Sequence, residues 1–566
     1  MGHGHQHHQH GEHDHGGAAT DGVPEVLDLS VPDAELSPAD VSRRGFLRSA
    51  GLLGAGAAAT AFVAPGAAHA HGPGGDRDRT GGFRWLAGDH HIHTQYSSDA
   101  QYRVIDQARH ARAYGLDWMV VTDHGGATHA KIGVERVNPD IVATRDHLDD
   151  LLVFQGLEWN IPSAEHGTVF VHPGRNEVAV LKEFENTYDG SVTGTSAPSP
   201  ANEALAVAGI RFLGEAVRRR RIDGALFLAN HPARRGVDSP HEIRAWRDAD
   251  PTVAVGMEGA PGHQASGIPA PNGAGRGRGY YEGSPSAASF PGYPLESYRT
   301  WGGFDWMTAT VGGLWDSLLA EGRAWWISAN SDSHVNYLDT SQRGPGSDFN
   351  ANGRYDDPVH GPLLTTAGDF WPGQYSRTHV GATSFAYRAV MDGLRAGRVW
   401  VDHGGLISGL DMRARVAGDR RRDSGTPLGG VLKVRRGTAV ELTIDIELAN
   451  TPNWSQFVPV LARVDVIAGR VTGPVADGDT FTAPDTRVVR SFEVNRSAGR
   501  VSLRHALGRI TEPCYVRLRG TDGNRGAPGL LGAAVDPAGP AMDVVGAADP
   551  WQDLWFYANP IWVVPS

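Results

Sequence analysis

Asp89-His90-His91-Ile92-His93-Thr94 closes an apolar run that begins near Arg84. On a strand, side chains at i and i+2 share a face, so His91 and His93 point the same way with Asp89 beneath them. Two imidazoles so placed can grip one metal ion. His90 faces the opposite layer with Ile92 and reads as structural. His-x-His alone is a weak signal, because most such pairs are surface or core histidines. Repetition along the chain gives it weight. Val120-Val121-Thr122-Asp123-His124 puts a histidine just past an apolar strand, and Val153-Phe154-Gln155-Gly156-Leu157-Glu158 ends another on a carboxylate. His166 precedes the apolar run Gly167–Val171, and Leu226-Phe227-Leu228-Ala229-Asn230-His231 repeats the strand-then-histidine pattern. Trp326-Ile327-Ser328-Ala329-Asn330-Ser331-Asp332-Ser333-His334 ends on a second i, i+2 pair, Asp332 and His334.

Outward from these runs, strands are expected at 84–93, 117–122, 151–157, 167–172, 224–230, 252–258 and 324–331, with helices at 100–114, 201–221 and 308–322. Such alternation predicts an α/β fold, a parallel sheet with right-handed crossovers, open or closed into a barrel. In these folds the C-terminal strand ends converge on one crevice, so the polar residues at these strand ends can meet in space. Gly/Pro/Ser-rich insertions interrupt the pattern at 259–300 and 336–378; loops that long are functional lids or disordered segments. A helix at Ser384–Ala396 leads into a strand at 398–402. Beyond it Val440, Leu442, Ile444, Ile446 and Leu448 alternate with polar residues, the period of a half-buried strand. Similar runs at 457–467, 488–494 and 514–519 are separated by turn residues, as in a sandwich. The boundary falls near Gly404, giving a larger α/β domain over 83–403 and a smaller β-rich, sandwich-like domain over 404–566. The stretch Trp555–Val564 is expected to pack back as a strand.

His91-Ile92-His93-Thr94 with Asp99, Thr122-Asp123-His124, Glu158, Asn230-His231-Pro232 and Ser331-Asp332-Ser333-His334 resemble the PHP (polymerase and histidinol phosphatase) superfamily over about residues 84–335. With Met257-Glu258-Gly259 and the β-rich tail, the pattern is similar to the carbaryl-hydrolase-like branch of that superfamily. The resemblance implies a distorted (β/α)7 barrel binding two or three divalent metals, commonly Mn, Fe or Zn. It implies one metal held by His91, His93, Glu158 and Asp332, with Glu158 bridging to a second held by His166 and His231. Asp99, His124 and His334 form a third position or the acid/base shell. Asp99 departs from the pattern, since members with three metals more often place a histidine there. His172 competes with His166, which fits the motif better.

The chemistry also follows from residue types. Imidazole with carboxylate suits Zn, Mn or Fe, and the absence of thiolates argues against a structural Cys-type zinc site. Two cations lower the pKa of a shared water and neutralise charge developing on a phosphoryl or carbonyl oxygen. His334 and His124 are candidates to protonate the leaving oxygen. The expected function is hydrolysis of a phosphomonoester or phosphodiester. A carbamate or carboxylic ester hydrolase would use the same metals, and a non-catalytic metal-binding surface module is a third reading, disfavoured by the complete ligand set. Serine hydrolase chemistry lacks its Gly-x-Ser-x-Gly turn. Arg234 and Arg235, just after His231, are expected in a solvated loop, with contact to a phosphate the alternative.

At 566 residues the chain exceeds one ordinary core, and its net charge of -12 argues against nucleic acid or an anionic membrane as the main partner. A small-molecule ester substrate fits better. Arg43-Arg44 beside Phe46-Leu47, an apolar stretch from Ala50 to Ala64, and Ala68-His69-Ala70 resemble a twin-arginine signal peptide. The apolar stretch, about fifteen residues, is too short to span a bilayer stably. The resemblance implies the twin-arginine export machinery as a partner of the precursor, cleavage before His71, no stable membrane insertion and an extracellular or cell-envelope destination. Cys514 is the only cysteine, so no intramolecular disulfide forms. The His-rich stretch at 1–16 reads as a purification tag or a natural metal-sequestering tail.

One further motif lies in the second insertion. Asp348, Asn350, Asn352 and Asp356 with Gly353 match the first half of an EF-hand-type calcium loop, although Val359 stands where a bidentate Glu belongs. A flexible Asn/Asp/Gly loop is the alternative.

Overall fold

Strands β1 (Phe83–Ile92), β2 (Trp118–Val121), β3 (Leu152–Asn160), β4 (His166–Val171), β5 (Ala225–Ala229), β6 (Ala254–Ala260) and β7 (Trp326–Ala329) lie side by side in chain order in one sheet. All are nearly continuously buried, which their Val/Leu/Phe/Ala-rich sequences require of strands covered on both faces. The computed structural model describes residues 79–80, 82–281, 283–419, 421, 425–523 and 549–566. The His-rich stretch and the export motif lie outside the described residues. The described residues group as one compact unit. No helix among the described residues is long and apolar enough to cross a membrane.

The neighbours β1–β2, β2–β3, β5–β6 and β6–β7 are parallel. Strand β4 runs antiparallel to both β3 and β5, which corrects the uniformly parallel sheet expected from the alternation. The cause is connection length: residues 161–165 are too few for a crossover, so β3 and β4 can only form a hairpin. The reversal puts the first residue of β4, His166, at the end where its neighbours finish. The sheet also curls back on itself. Ser333, just past β7, bridges in parallel to Ile92 of β1, and the His93 amide donates to the Ser333 carbonyl at 3.1 Å.

Helices α1 (Val104–Ala113), α2 (His129–His147), α3 (Glu177–Tyr188), α4 (Pro200–Arg218), α5 (Pro240–Ala249), α6 (Leu314–Ala320) and α7 (Tyr387–Arg395) supply the connections. Of these, α2, α3 and α5 were not anticipated. Pro139 inside α2 reads in sequence as a break, yet the helix runs through it.

Beyond β7 come β8 (Ser376–Ala382), β9 (Val399–His403), β10 (Ile407–Val416), β11 (Thr438–Leu448), β12 (Leu461–Arg470), β13 (Arg487–Arg496), β14 (Arg500–Ile510), β15 (Cys514–Thr521) and β16 (Trp555–Pro565). Strands β8, β9, β16, β15, β12 and β13 extend the same sheet outward from β1, in that order. The stretch expected to return as a strand is β16, inserted between β9 and β15. Strands β10, β11 and β14 form a second sheet, and Leu410, Leu442 and Ile444 of that sheet share an apolar core with Val464, Leu518 and Phe556 of the first. The sheet thus runs without interruption across the expected boundary at Gly404. Buried ion pairs tie the two halves: Arg517 on β15 grips Asp316 on α6 through bonds of 2.6 and 2.8 Å, and both are fully buried.

Candidate metal centre

Glu158, two residues before the end of β3, is buried among five imidazoles. Its Oε1 lies 3.1 Å from His91 Nε2, 3.1 Å from His166 Nδ1 and 3.3 Å from His231 Nε2. Its Oε2 lies 2.7 Å from His124 Nδ1 and 3.4 Å from His93 Nε2. Asp332 is the second hub: its Oδ1 sits 3.1 Å from His91 Nε2, 3.3 Å from His93 Nε2 and 3.4 Å from His334 Nδ1. At the mouth, half-exposed Asp99 reaches His124 Nε2 at 3.0 Å and His334 Nε2 at 3.5 Å. The nine residues singled out by sequence, His91, His93, Asp99, His124, Glu158, His166, His231, Asp332 and His334, are therefore brought together. His172 is not: it sits past the far end of β4, hydrogen-bonded to the Pro173 carbonyl.

The donor set fits divalent cations on physical grounds. His91 Nε2 and His93 Nε2 stand 3.0 Å apart, both aimed at the same two carboxylates. Asp332 Oδ1, for all its close imidazole nitrogens, and His231 Nδ1 are buried without a contact of hydrogen-bond geometry. Burial opposes charge on His91, yet Asp332, Glu158 and Glu258 around it raise its pKa well above the ordinary imidazole value. Burial likewise opposes charge on Glu158, but His166, His91 and His124 hold its carboxyl well below the usual range. Crowded imidazoles and carboxylates of this kind are reconciled by cations placed among them. Among the described residues, overlapping sets of three or more such groups have ligand atoms within 4.8 Å of one another, including His91–His93–Asp332 and His124–Glu158–His166.

Supporting residues fix the candidate ligands. Ser97 Oγ meets His93 Nδ1 at 2.9 Å. Asp89 accepts the His91 and Ser331 amides at 3.0 and 2.9 Å, and burial pushes its carboxyl up to about 7. His90 is buried against Ser328 Oγ at 2.7 Å, and burial lowers it to about 4, so it is a neutral structural histidine as its strand face predicted. His231 and Asp332 both adopt positive φ, at 31° and 47°, backbone strain of the kind that gathers at functional sites.

Four residues of the site receive no role from sequence, although Glu258 belongs to the quoted Met257-Glu258-Gly259. Glu258 meets His91 Nδ1 at 2.6 Å and accepts the His231 amide at 2.6 Å. It ends a strand on a carboxylate, the signal that found Glu158. Glu165 pairs with Arg234 at 3.3 Å and Arg235 at 3.1 Å. His263 and Asp369 come from the two insertions, where no periodicity exists to flag them. His263 Nε2 lies 2.8 Å from Asp332 Oδ2.

A cavity of about 440 Å³ opens onto the cluster, lined by Asp99, His124, Glu158, His166, His231, Arg234, His263 and Asp332 among others. Arg234 thus faces the cavity instead of a solvated loop. Away from it, Asp348 caps a single helical turn, Phe349–Asn352, by accepting the Ala351 amide at 3.1 Å. Gly353 closes that turn at φ 66°, Asn350 lies within it, the Asn352 carbonyl accepts from Arg136 at 2.9 Å, and the Asp356 amide donates to Ser347 Oγ at 2.9 Å.

No family model matches the chain, and no curated protein matches it. Among solved structures it is similar to a two-domain protein from Bacteroides vulgatus containing a predicted PHP-like metal-dependent phosphoesterase, at 13% identity and a TM-score of 0.29, covering 77% of this chain and 91% of that one. It is also similar to Endonuclease Q in complex with a 27-mer duplex bearing an abasic lesion, at 16% identity and a TM-score of 0.19, covering 32% of this chain and 45% of that one.

Proposed function

We propose that the chain is a metal-dependent phosphoesterase of the PHP type, its curled seven-strand sheet being the distorted (β/α)7 barrel of that superfamily and its C-terminal layers a sandwich. The observation that carries this reading is Glu158, one buried carboxylate within 3.4 Å of five imidazoles. His91, His93, Glu158 and Asp332 would hold one ion, Glu158, His166 and His231 a second, and Asp99, His124 and His334 a third. Two or three Mn, Fe or Zn ions so bound would supply Lewis acidity toward a phosphoryl oxygen and an acidified water.

The chain's own groups do the rest. Arg234 offers a planar guanidinium to an anionic substrate inside the cavity. His124 and His334 stand at the mouth beside Asp99, placed to pass a proton to a leaving oxygen. Support for phosphate over a carbamate comes from the lining, where Arg234 and five imidazoles stand beside the carboxylates and the aromatic or apolar side chains are Tyr280, Val335 and Ala367. Export through the twin-arginine route belongs to the same proposal.

Metal-reconstituted protein is expected to cleave nitrophenyl phosphate or bis-nitrophenyl phosphate in preference to naphthyl carbamate. Glu158→Ala should abolish turnover and lower metal content. Full activity in metal-free protein, or an unaffected Glu158→Ala variant, overturns the hydrolase reading; preference for the carbamate overturns the phosphoester assignment alone.

A further inference from the structure

His91 and His263 approach Asp332 from opposite sides with the same wiring. Glu258, fully buried, meets His91 Nδ1, leaving His91 Nε2 3.1 Å from Asp332 Oδ1. Asp369, also buried, meets His263 Nδ1, leaving His263 Nε2 2.8 Å from Asp332 Oδ2. A carboxylate on one ring nitrogen fixes the tautomer so that the other nitrogen presents its lone pair, the usual arrangement behind a metal-bound histidine. His263 is held in place at some cost: its φ is 53°, in the left-handed region, and its ring packs 4.6 Å from Tyr280. The second oxygen of Asp369 accepts the amides of His334 and Val335 at 2.7 and 2.9 Å, so one carboxylate positions both His263 and the His334 backbone. His263, His334 and Asp369 present ligand atoms within 4.8 Å of one another.

We propose that His263 is a metal ligand, its Nε2 binding a divalent cation that it shares with Asp332, with Asp369 as its orienting carboxylate. Both residues come from the long insertions, His263 from 259–300 and Asp369 from 336–378, so these segments complete the metal centre as well as walling the cavity. A borderline cation such as Zn, Mn or Fe suits a site of imidazole and carboxylate. The inference rests on the metal-dependent reading of the cluster.

The test is metal stoichiometry and affinity, by elemental analysis after dialysis and by calorimetric titration with Mn and Zn. The proteins compared are wild type, His263→Ala, Asp369→Asn and, as a reference, Glu258→Gln. His263→Ala is expected to lose one ion, or to weaken the weakest site by at least tenfold. Asp369→Asn should weaken the same site by about 10–100-fold, as loss of an orienting carboxylate does. Added imidazole should restore binding to His263→Ala. If wild type loads metal and both His263→Ala and Asp369→Asn match it in stoichiometry and affinity, His263 is not a ligand. If wild type binds no metal, the metal-dependent reading itself fails. Should His263→Ala not fold, the closer replacement His263→Gln, titrated in the same way, decides the matter: unchanged stoichiometry and affinity there remove His263 as a ligand.

Discussion

Glu258 touches no face of the cavity, yet it bonds to His91 and to the His231 backbone together. Its removal should therefore act on metal binding without touching substrate. Glu258→Gln is expected to weaken metal affinity by about 10–100-fold while leaving the far-ultraviolet circular dichroism spectrum unchanged; calorimetric titration measures it. Asp305 carries a different consequence. It is fully buried, accepting from Ala233, Met307 and Tyr281, and burial raises its carboxyl to about 6. Because the folded value lies above the unfolded one, the folded chain binds the extra proton. That stabilisation is complete below the unfolded value and is lost as pH rises through about 6. Asp305→Asn should flatten the decline in unfolding free energy between pH 4.5 and 7, by on the order of 2 kcal/mol, read from urea titrations at each pH. At this scale the sequence was most readable where chemistry sits on strand ends. His91, Glu158 and Asp332 follow apolar runs whose period places them, whereas His263 and Asp369 sit in Gly/Pro-rich insertions whose course depends on tertiary contacts alone.

Elements were legible in proportion to their hydrophobic period. Strands β1 to β7 announce themselves as apolar runs, while α2 is masked by Pro139 and a weakly apolar face. Helix α5 carried a signal that could have been used, since Ser239 and Glu242 form a capping box with Pro240 at the first turn. The antiparallel course of β4 was implicit in its short connection to β3, which no alternation rule takes into account. The pairing of elements also has an energetic test. The Asp316–Arg517 pair joins α6 to β15 with both side chains fully buried. Removing one partner leaves a charge in low dielectric, so Asp316→Ala should destabilise the protein by about 3–5 kcal/mol. The double replacement Asp316→Leu/Arg517→Met should recover much of that loss, read from the denaturation midpoints of the three proteins.

For the whole molecule, address and architecture are separate questions. If the paired arginines at the start of the chain direct export, changing Arg43 and Arg44 to Lys should retain the precursor inside the cell; unaltered secretion of the double variant would show another route. Architecture is governed by β16. It lies between β9 and β15, and its Asn559 side chain accepts the Ile327 amide of β7 at 3.0 Å, so it meets both halves of the sheet. Sequence reasoning found this strand because its apolar residues recur late in the chain, but could not say where it would insert, since register is chosen by partners far away in sequence.

That placement also sets a clock on synthesis. A chain emerges at roughly 5–20 residues per second, so between His403 at the end of β9 and Trp555 at the start of β16 roughly 8 to 30 s elapse. Throughout that interval β9 presents an open row of amides and carbonyls to whatever else is nascent nearby. Partnering with the wrong edge is the characteristic hazard of such delayed, long-range pairing. Slower translation should therefore lengthen the exposure and raise the fraction that aggregates, while faster completion of the segment carrying β16 should raise the yield of native protein.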